Sequence, residues 1–117
     1  MSRTLSQKRA EFSLEKALEY ANVSKFKSFS AGAPAMILKN GFGQTLAFWV
    51  AKGKSEHKAM FEIVAEWLKK NNYVTNTNKS EFLQEITTMS QNKYLLCQEE
   101  TLKLLEWIKR FANAELQ

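Results

Sequence analysis

Apolar residues recur at helical spacing along most of this chain, and this periodicity constrains its fold more than any other feature. β-Branched residues are sparse, no stretch alternates cleanly between apolar and polar residues, and no Asn-Gly lies between two alternating runs. The pattern predicts an all-α fold, a compact bundle of five to six helices. At 117 residues the chain has the size of one domain, so we expect a single helical domain over 1–117.

A capping box marks the start of the first helix. Thr4 is followed three residues later by Gln7, and these two side chains can satisfy the first free N–H groups of a helix running to about Asn22. One face of this helix carries the expected core stripe: Ala10, Leu14, Ala17, Leu18 and Ala21. Leu5 and Phe12 fall on the opposite face, where either a neighbouring helix or a partner molecule would cover them. Three cations flank them: Lys8, Arg9 and Lys16.

The only proline and all four glycines lie between Ser24 and Gly53. Pro34 disfavours the helical conformation at the residue before it, which predicts that a helix starts or kinks there. Gly41 indicates a left-handed cap that ends this helix. Phe42 to Lys52 is then a short, nearly all-apolar helix, which we expect to be buried centrally and closed by Gly53.

Three further helices are expected in the second half of the chain. Ser55 would cap a helix that runs to about Asn71 and places His57 on its apolar arc, and Ser80 would cap a shorter helix. The last helix is expected from about Asn92 to Glu115. Two ion pairs at i,i+4 spacing are expected on its outer face: Glu99 with Lys103, and Glu106 with Arg110.

Charge is distributed unevenly along the chain. Seventeen Lys and Arg residues face 12 acids, all of them Glu, which gives a net charge of +5. No acid lies between Glu19 and Glu56, and this basic segment holds five cations: Lys25, Lys27, Lys39, Lys52 and Lys54. Elsewhere cations and anions balance. The surplus indicates either a solvated lysine-rich surface or a surface that faces a polyanion, of which nucleic acid is the commonest in the cytoplasm.

Residues suited to catalysis are scarce. The chain has no Asp, one His and one Cys, so neither a Ser-His-Asp nor a Cys-His-Asp triad can be assembled. His57 and Cys97 both lie on apolar arcs, where core packing explains them better than a catalytic dyad. There are too few Cys and His residues for a zinc site, and the glycines do not form a phosphate-binding loop. We therefore expect a binding protein without enzymatic activity, cofactor or metal.

The sequence also favours a cytoplasmic location. A single cysteine excludes an internal disulfide and fits a reducing compartment. The first ten residues lack the apolar core of a secretory signal, and the longest apolar stretch is far shorter than a bilayer requires.

Three blocks of sequence carry a family resemblance: TLSQKRAEFSLEKALEY (Thr4–Tyr20), APAMILKNGFGQTLAFWVAKG (Ala33–Gly53) and YLLCQEETLKLLEWIKRFANAE (Tyr94–Glu115). Together they resemble the small helical subunit of the type III-B CRISPR RNA-targeting (Cmr) complex. The middle block is the most specific, with a proline, an apolar helix, Asn-Gly and then Gly-Gln-Thr-Leu-Ala-Phe. Phe42 departs from the leucine expected after the Asn-Gly.

The resemblance implies a non-catalytic subunit that stacks along a ribonucleoprotein filament and contacts guide and target RNA in antiviral defence. Its partners would be a backbone subunit that cleaves the target, a large polymerase-like subunit, and further copies of itself. The candidate phosphate contacts are the five lysines of the basic segment, with Lys8, Arg9 and Lys16 next. Lysine suits such a task because a point charge meets phosphate without reading bases.

Two other binding functions stay open on the sequence. A helical protein–protein scaffold would dock partners through the Leu5 and Phe12 face and leave its lysines solvated. A helix-turn-helix DNA-binding protein ranks lower, because the helix over 42–52 is too apolar to be a recognition helix.

Overall fold

In the computed structural model, which describes residues 3–116, the chain folds into six α-helices, with no strand in that range. They are α1 (Leu5–Glu19), α2 (Phe26–Asn40), α3 (Phe42–Lys52), α4 (Ser55–Lys70), α5 (Lys79–Thr88) and α6 (Gln91–Ala112). The all-α prediction is confirmed. None of the helices within this range is both long enough and apolar enough to cross a membrane.

Helix α4 supplies the centre of the core. His57 is buried on this helix, as its apolar arc predicted, and the large apolar side chains buried beside it are Met60, Phe61, Ile63, Val64, Trp67 and Leu68. Aromatic pairs join α4 to its neighbours, since Phe12 lies 4.9 Å from Trp67 and Phe82 lies 5.2 Å from Phe61 between ring centroids. Helices α1 and α2 both pack along α6, and α3 packs on α2, α4 and α5.

A buried ion pair connects α1, α4 and α6. The Arg9 guanidinium donates from Nε to Oε2 of Glu100 at 2.6 Å and from Nη2 to Oε1 at 3.0 Å. Oε2 also accepts a hydrogen bond of 2.9 Å from Nε1 of Trp67. Burying both charges is costly, and the paired geometry with its additional indole donor offsets that cost.

This ion pair sets the orientation of α1, and the predicted core stripe is partly wrong. Phe12 is 3% exposed and packs on Trp67, whereas Leu18 is 49% exposed. Ala17 is buried as predicted, and Ala21 is exposed. Of the two alternatives for Leu5 and Phe12, a neighbouring helix covers Phe12, and Leu5 stays exposed. The face that carries Arg9 and Phe12 turns inward because Glu100 lies there.

The predicted helix caps and helix ends are confirmed only in part. The capping box of α1 is confirmed: the amide of Thr4 donates to Oε1 of Gln7, and the amide of Gln7 donates to Oγ1 of Thr4. The predicted cap at Ser55 is wrong, since it is the first residue of α4. The predicted cap at Ser80 is also wrong, because Asn78 accepts from the first amides of α5. Helix α1 ends at Glu19 rather than at Asn22.

Helix α6 begins one residue before the prediction, is capped by Ser90, and ends at Ala112. Glu99 and Lys103 pair at 3.4 Å on its outer face, as predicted. Glu106 and Arg110, both within the described chain, form no ion pair, so that prediction is wrong.

Helix α2 runs through Pro34, so of the two predicted alternatives, a helix start or a kink, the start is wrong. The helix begins at Phe26, directly after Lys25 in the left-handed conformation (φ 66°). Pro34 has no N–H to donate to the carbonyl of Ser30. The loss of that bond is offset by burial, because Phe26, Ala33, Pro34 and Ile37 all lie inside the fold.

Helix α3 has the predicted bounds, and α6 caps it. Gly41 has φ 89° and ψ 158°, an extended conformation at positive φ rather than the predicted left-handed one, whereas Gly53 is left-handed as predicted. No side chain of α3 or of its N-cap satisfies the first amides. Instead, the amide of Gly43 donates to the hydroxyl of Tyr94 at 2.8 Å, and the amide of Phe42 donates to Oε1 of Gln98 at 3.3 Å.

Replacing Glu100 with alanine should lower the free energy of unfolding by about 3–5 kcal/mol, because it leaves the Arg9 charge buried without a partner. Urea unfolding followed by tryptophan fluorescence measures the change. Glu99→Ala is the matched control: that side chain is 64% exposed and its surface pair with Lys103 contributes about 1 kcal/mol or less. Equal losses in the two variants would contradict the structural role of the buried pair.

Tyr94→Phe should lower the free energy of unfolding by about 1 kcal/mol, because the partly buried amide of Gly43 loses its acceptor. The ring contact with Phe42, 5.6 Å between centroids, is retained in this variant. Thermal unfolding measures the effect. Tyr73→Phe, which removes a hydroxyl without a protein hydrogen-bond partner within residues 3–116, should be neutral; a similar loss there would refute the capping role of Tyr94.

Candidate nucleic-acid interface

The end of α2 and the outer face of α3 form an open groove. The two helices are joined by Gly41 alone, so α3 folds back directly against the last turns of α2. The hydroxyl of Thr45 donates to the carbonyl oxygen of Met36 at 3.0 Å and fastens one helix to the other. The lining combines a cation, two amides and an exposed aromatic ring: Met36, Lys39, Asn40, Gln44, Thr45 and Phe48.

Helix α3 is amphipathic in the structure, so the expectation that it is buried centrally holds for one of its faces only. Its inner face carries the buried residues at helical spacing: Phe42, Thr45, Leu46 and Trp49. Gln44, Phe48 and Lys52 follow each other at i,i+4 spacing on the outer face, and all three are exposed. Phe48 is 48% exposed, because no helix within residues 3–116 covers this face.

Three lysines of the basic segment lie at this groove or follow it along the chain, and are called here the groove lysines: Lys39 lines the groove, Lys52 lies one helical turn beyond Phe48, and Lys54 follows two residues later. All three are exposed, and none forms an ion pair with a carboxylate of the described chain. Lys39 and Lys52 occupy the last turns of α2 and α3, where a cation also stabilises the helix dipole. Their positive charge is therefore free to act on a bound anion.

His57 lies beneath the groove and supports Phe48. Its ring centroid is 4.4 Å from that of Phe29 and 5.9 Å from that of Phe48. Burial lowers the pKa of the His57 imidazole; Glu56 acts in the opposite direction, and Lys52 and Lys54 lower the pKa further. The imidazole is therefore neutral at physiological pH, and the electrostatic potential around it is set by the lysines.

The other predicted site residues lie apart from the groove or are already paired. Lys8 and Lys25 are exposed, on α1 and directly before α2. Lys27 is exposed, and its Nζ lies 3.0 Å from Oε1 of Glu115. Arg9 is buried against Glu100, and Lys16, with its side chain 12% exposed, bridges two carboxylates at 3.2 and 3.0 Å: Glu19 and Glu66.

The Lys16 ammonium is held firmly in place. Burial lowers its pKa, but the hydrogen bonds and charges of Glu66 and Glu19 outweigh this and raise the pKa overall. Its Nζ also lies 5.4 Å from the centre of the Phe12 ring. A phosphate would have to displace these contacts. Of the eight residues predicted from the sequence, Lys39 lines the groove, and Lys52 and Lys54 follow Phe48 along the chain. The lining adds Gln44 and Phe48, which were not among the predicted site residues.

Cys97 is a core residue, as expected from its apolar arc. Its Sγ is buried and lies 3.9 Å from Sδ of Met89. Burial raises the pKa of the Cys97 thiol to about 11, so it is uncharged at neutral pH. Among residues 3–116, no three His, Cys or Glu side chains lie close enough together to hold a metal ion.

Cys97 should react with Ellman's reagent at about pH 8 roughly 100-fold more slowly in the folded protein than in guanidinium, even before steric shielding is counted. The reason is the thiolate fraction, which falls as the pKa rises to about 11. The release of thionitrobenzoate measures both rates. Equal rates in the two conditions would show that the thiol is accessible and ionised in the fold.

Comparisons with known proteins extend over the full length of this fold. A family model for a CRISPR-associated protein, Cas_Cmr5, matches residues 5–115. The CRISPR system Cmr subunit Cmr5 of Thermus thermophilus is 30% identical over 118 residues, with 98% of each chain covered. A crystal structure of a CRISPR-associated Cmr5 family protein from the same organism superposes with a TM-score of 0.82 at 28% identity, covering 99% of this chain and 100% of that one.

Proposed function

Because this chain belongs to the Cmr5 family of CRISPR-associated proteins, we propose that it is a non-catalytic subunit of a Cmr RNA-targeting ribonucleoprotein complex. Its partners are the other subunits of that complex, further copies of itself, and the guide and target RNA, and it acts in the cytoplasm. The family membership supports the subunit role. The naming of the Thermus thermophilus relative as a Cmr subunit supports the same assignment.

One observation carries the proposal of direct RNA contact: the exposed Lys39 lines an open groove, the exposed Lys52 and Lys54 follow Phe48 of its lining along the chain, and none of the three has a carboxylate partner in the described chain. RNA presents a regular row of phosphates, and exposed ammonium groups bind them without regard to base sequence. A subunit that must accept any target gains from contacts of this kind. The groove lysines are therefore the first phosphate contacts in this proposal, and Lys8 and Lys25 extend the surface.

The paired cations contribute less to this surface. Lys27 could reach phosphate only by leaving Glu115, which costs little because both side chains are more than half exposed. Arg9 would leave Glu100 buried and unpaired, and Lys16 would leave two carboxylates. We therefore do not include Arg9 and Lys16 among the proposed RNA contacts.

A protein–protein scaffold without direct RNA contact is the second candidate, and the exposed leucines favour it. These side chains are each 45% exposed or more: Leu5, Leu18, Leu38, Leu95, Leu96 and Leu116. None of them lines the groove, so subunit contacts elsewhere and RNA contact at the groove can coexist on one chain. Stacking along a filament would use such apolar surfaces.

Changing Lys39, Lys52 and Lys54 together to glutamine should weaken binding of single-stranded RNA. It should also reduce the slope of log affinity against log salt by about 2, at about 0.7 for each lost phosphate contact. Fluorescence anisotropy with labelled RNA, at salt concentrations between about 50 and 200 mM, measures both quantities.

The control for this variant removes the same charge from exposed lysines outside the basic segment: Lys69, Lys79 and Lys93. Equal effects in both triple variants would mean that only net charge matters, and would contradict a groove contact. If complexes assembled with the groove lysine variant keep all their protein subunits and the full salt dependence of RNA binding, the scaffold function is favoured instead.

A further inference from the structure

We propose that Phe48 is a stacking platform for one base of single-stranded RNA, with the phosphates on either side of that base bound by the groove lysines. This inference rests on the proposed RNA contact and deepens it, because it adds a base subsite to a surface so far described by charge alone. The occupant is a nucleotide in an unpaired strand, since a base inside a duplex has no free face to offer.

The first argument is the position of the ring. Phe48 is half-exposed, although a phenylalanine on a short apolar helix gains most by turning inward. It lines the groove, and its contact with His57 beneath it restricts its motion. An aromatic side chain has only two rotatable bonds, so a supported ring offers contact area at a low cost in conformational entropy.

The second argument is the surroundings of the ring. Lys52 lies one helical turn beyond Phe48 on α3, and Lys39 lines the groove on α2, so both helices of the groove supply a cation. The amides of Asn40 and Gln44 line the same groove, and an amide can both donate to and accept from a base edge. An aromatic ring within a basic groove is the pattern by which proteins bind single strands without sequence preference.

The third argument concerns the other possible occupants of the groove. The basic segment holds no carboxylate that could oppose a phosphate, and the nearest acid along the chain, Glu56, is buried. Lysine is depleted at protein–protein interfaces, which makes a groove lined by Lys39 and followed along α3 by Lys52 a poor site for a protein partner. The groove is open to solvent, and its volume of about 680 Å³ lies within the ~300–1,000 Å³ typical of small-molecule sites, which leaves room for one nucleotide.

The test compares two labelled strands on the full chain by fluorescence anisotropy. One is an oligouridylate about twelve nucleotides long, and the other carries the same sugar-phosphate backbone with the bases absent along the same length. Phe48→Leu should weaken binding of the oligouridylate roughly 5- to 150-fold while leaving the salt slope unchanged. It should have no effect on the abasic strand, and Phe48→Trp should restore binding of the oligouridylate.

Leu38→Ala is the matched control, because it removes a more exposed apolar side chain that does not line the groove; binding should not change. Thermal unfolding of each variant verifies the fold. Because the Phe48 side chain is half-exposed, the leucine variant keeps most of its packing, and the tryptophan variant provides a second, aromatic test at the same position.

The outcomes separate the two proposals. If Phe48→Leu binds both strands as the wild type does while the groove lysine variant binds neither, the stacking inference is overturned and the phosphate contact stands. Equal weakening of both strands, or loss of subunit recruitment with RNA binding intact, also overturns stacking. If wild-type protein binds neither strand, alone or in the assembled complex, the proposed RNA contact fails together with the inference.

Discussion

The buried carboxylate of Glu100 is the contact on which the remaining geometry depends. It accepts hydrogen bonds from Arg9 on α1 and from Trp67 on α4, and it belongs to α6, so it fixes three helices relative to one another. Because α6 is a single rigid helix, this also fixes Tyr94 and Gln98, which satisfy the free amides at the start of α3. Helix α3 forms one wall of the groove, so the groove's geometry depends on a buried charge pair that does not line it.

The same chain divides its cations into two groups. Arg9, Lys16 and Lys27 are held by glutamates from distant helices or from the C-terminal end, and their charge is neutralised within the protein. The groove lysines lie in the stretch where the sequence supplies no acid, and folding pairs them with no carboxylate of residues 3–116. Because the sequence supplies no acid in this segment, the folded protein keeps an excess of positive charge there. Such a local excess can act on a partner.

Features set by neighbouring residues were predicted in part from the sequence, although the predicted caps at Ser55 and Ser80 are wrong. The glycines indicated the bounds of α3, and the apolar arc of α4 indicated the centre of the core, because turn chemistry and helical spacing are local. The orientation of α1 was not predictable, since Arg9 scores as a surface residue until a glutamate 91 positions away neutralises it. Phe48 was missed for a related reason: within a continuous apolar run, periodicity gives no contrast between inner and outer faces. The groove lysines could be identified because they lie in a segment without acids. Lys27 lies in the same segment, and the sequence did not show that it would be paired.

The single-residue connection at Gly41 has a consequence for selectivity. With α2 and α3 joined so tightly, and with Thr45 and Tyr94 fastening both ends of the turn, the groove walls are already in place before anything binds. The conformational entropy lost on binding is then almost entirely that of the RNA strand. Strands whose own bases stack strongly would resist unstacking, and flexible, weakly stacked ones would enter easily. A rigid groove that does not read bases would therefore still discriminate between RNAs, by their stiffness.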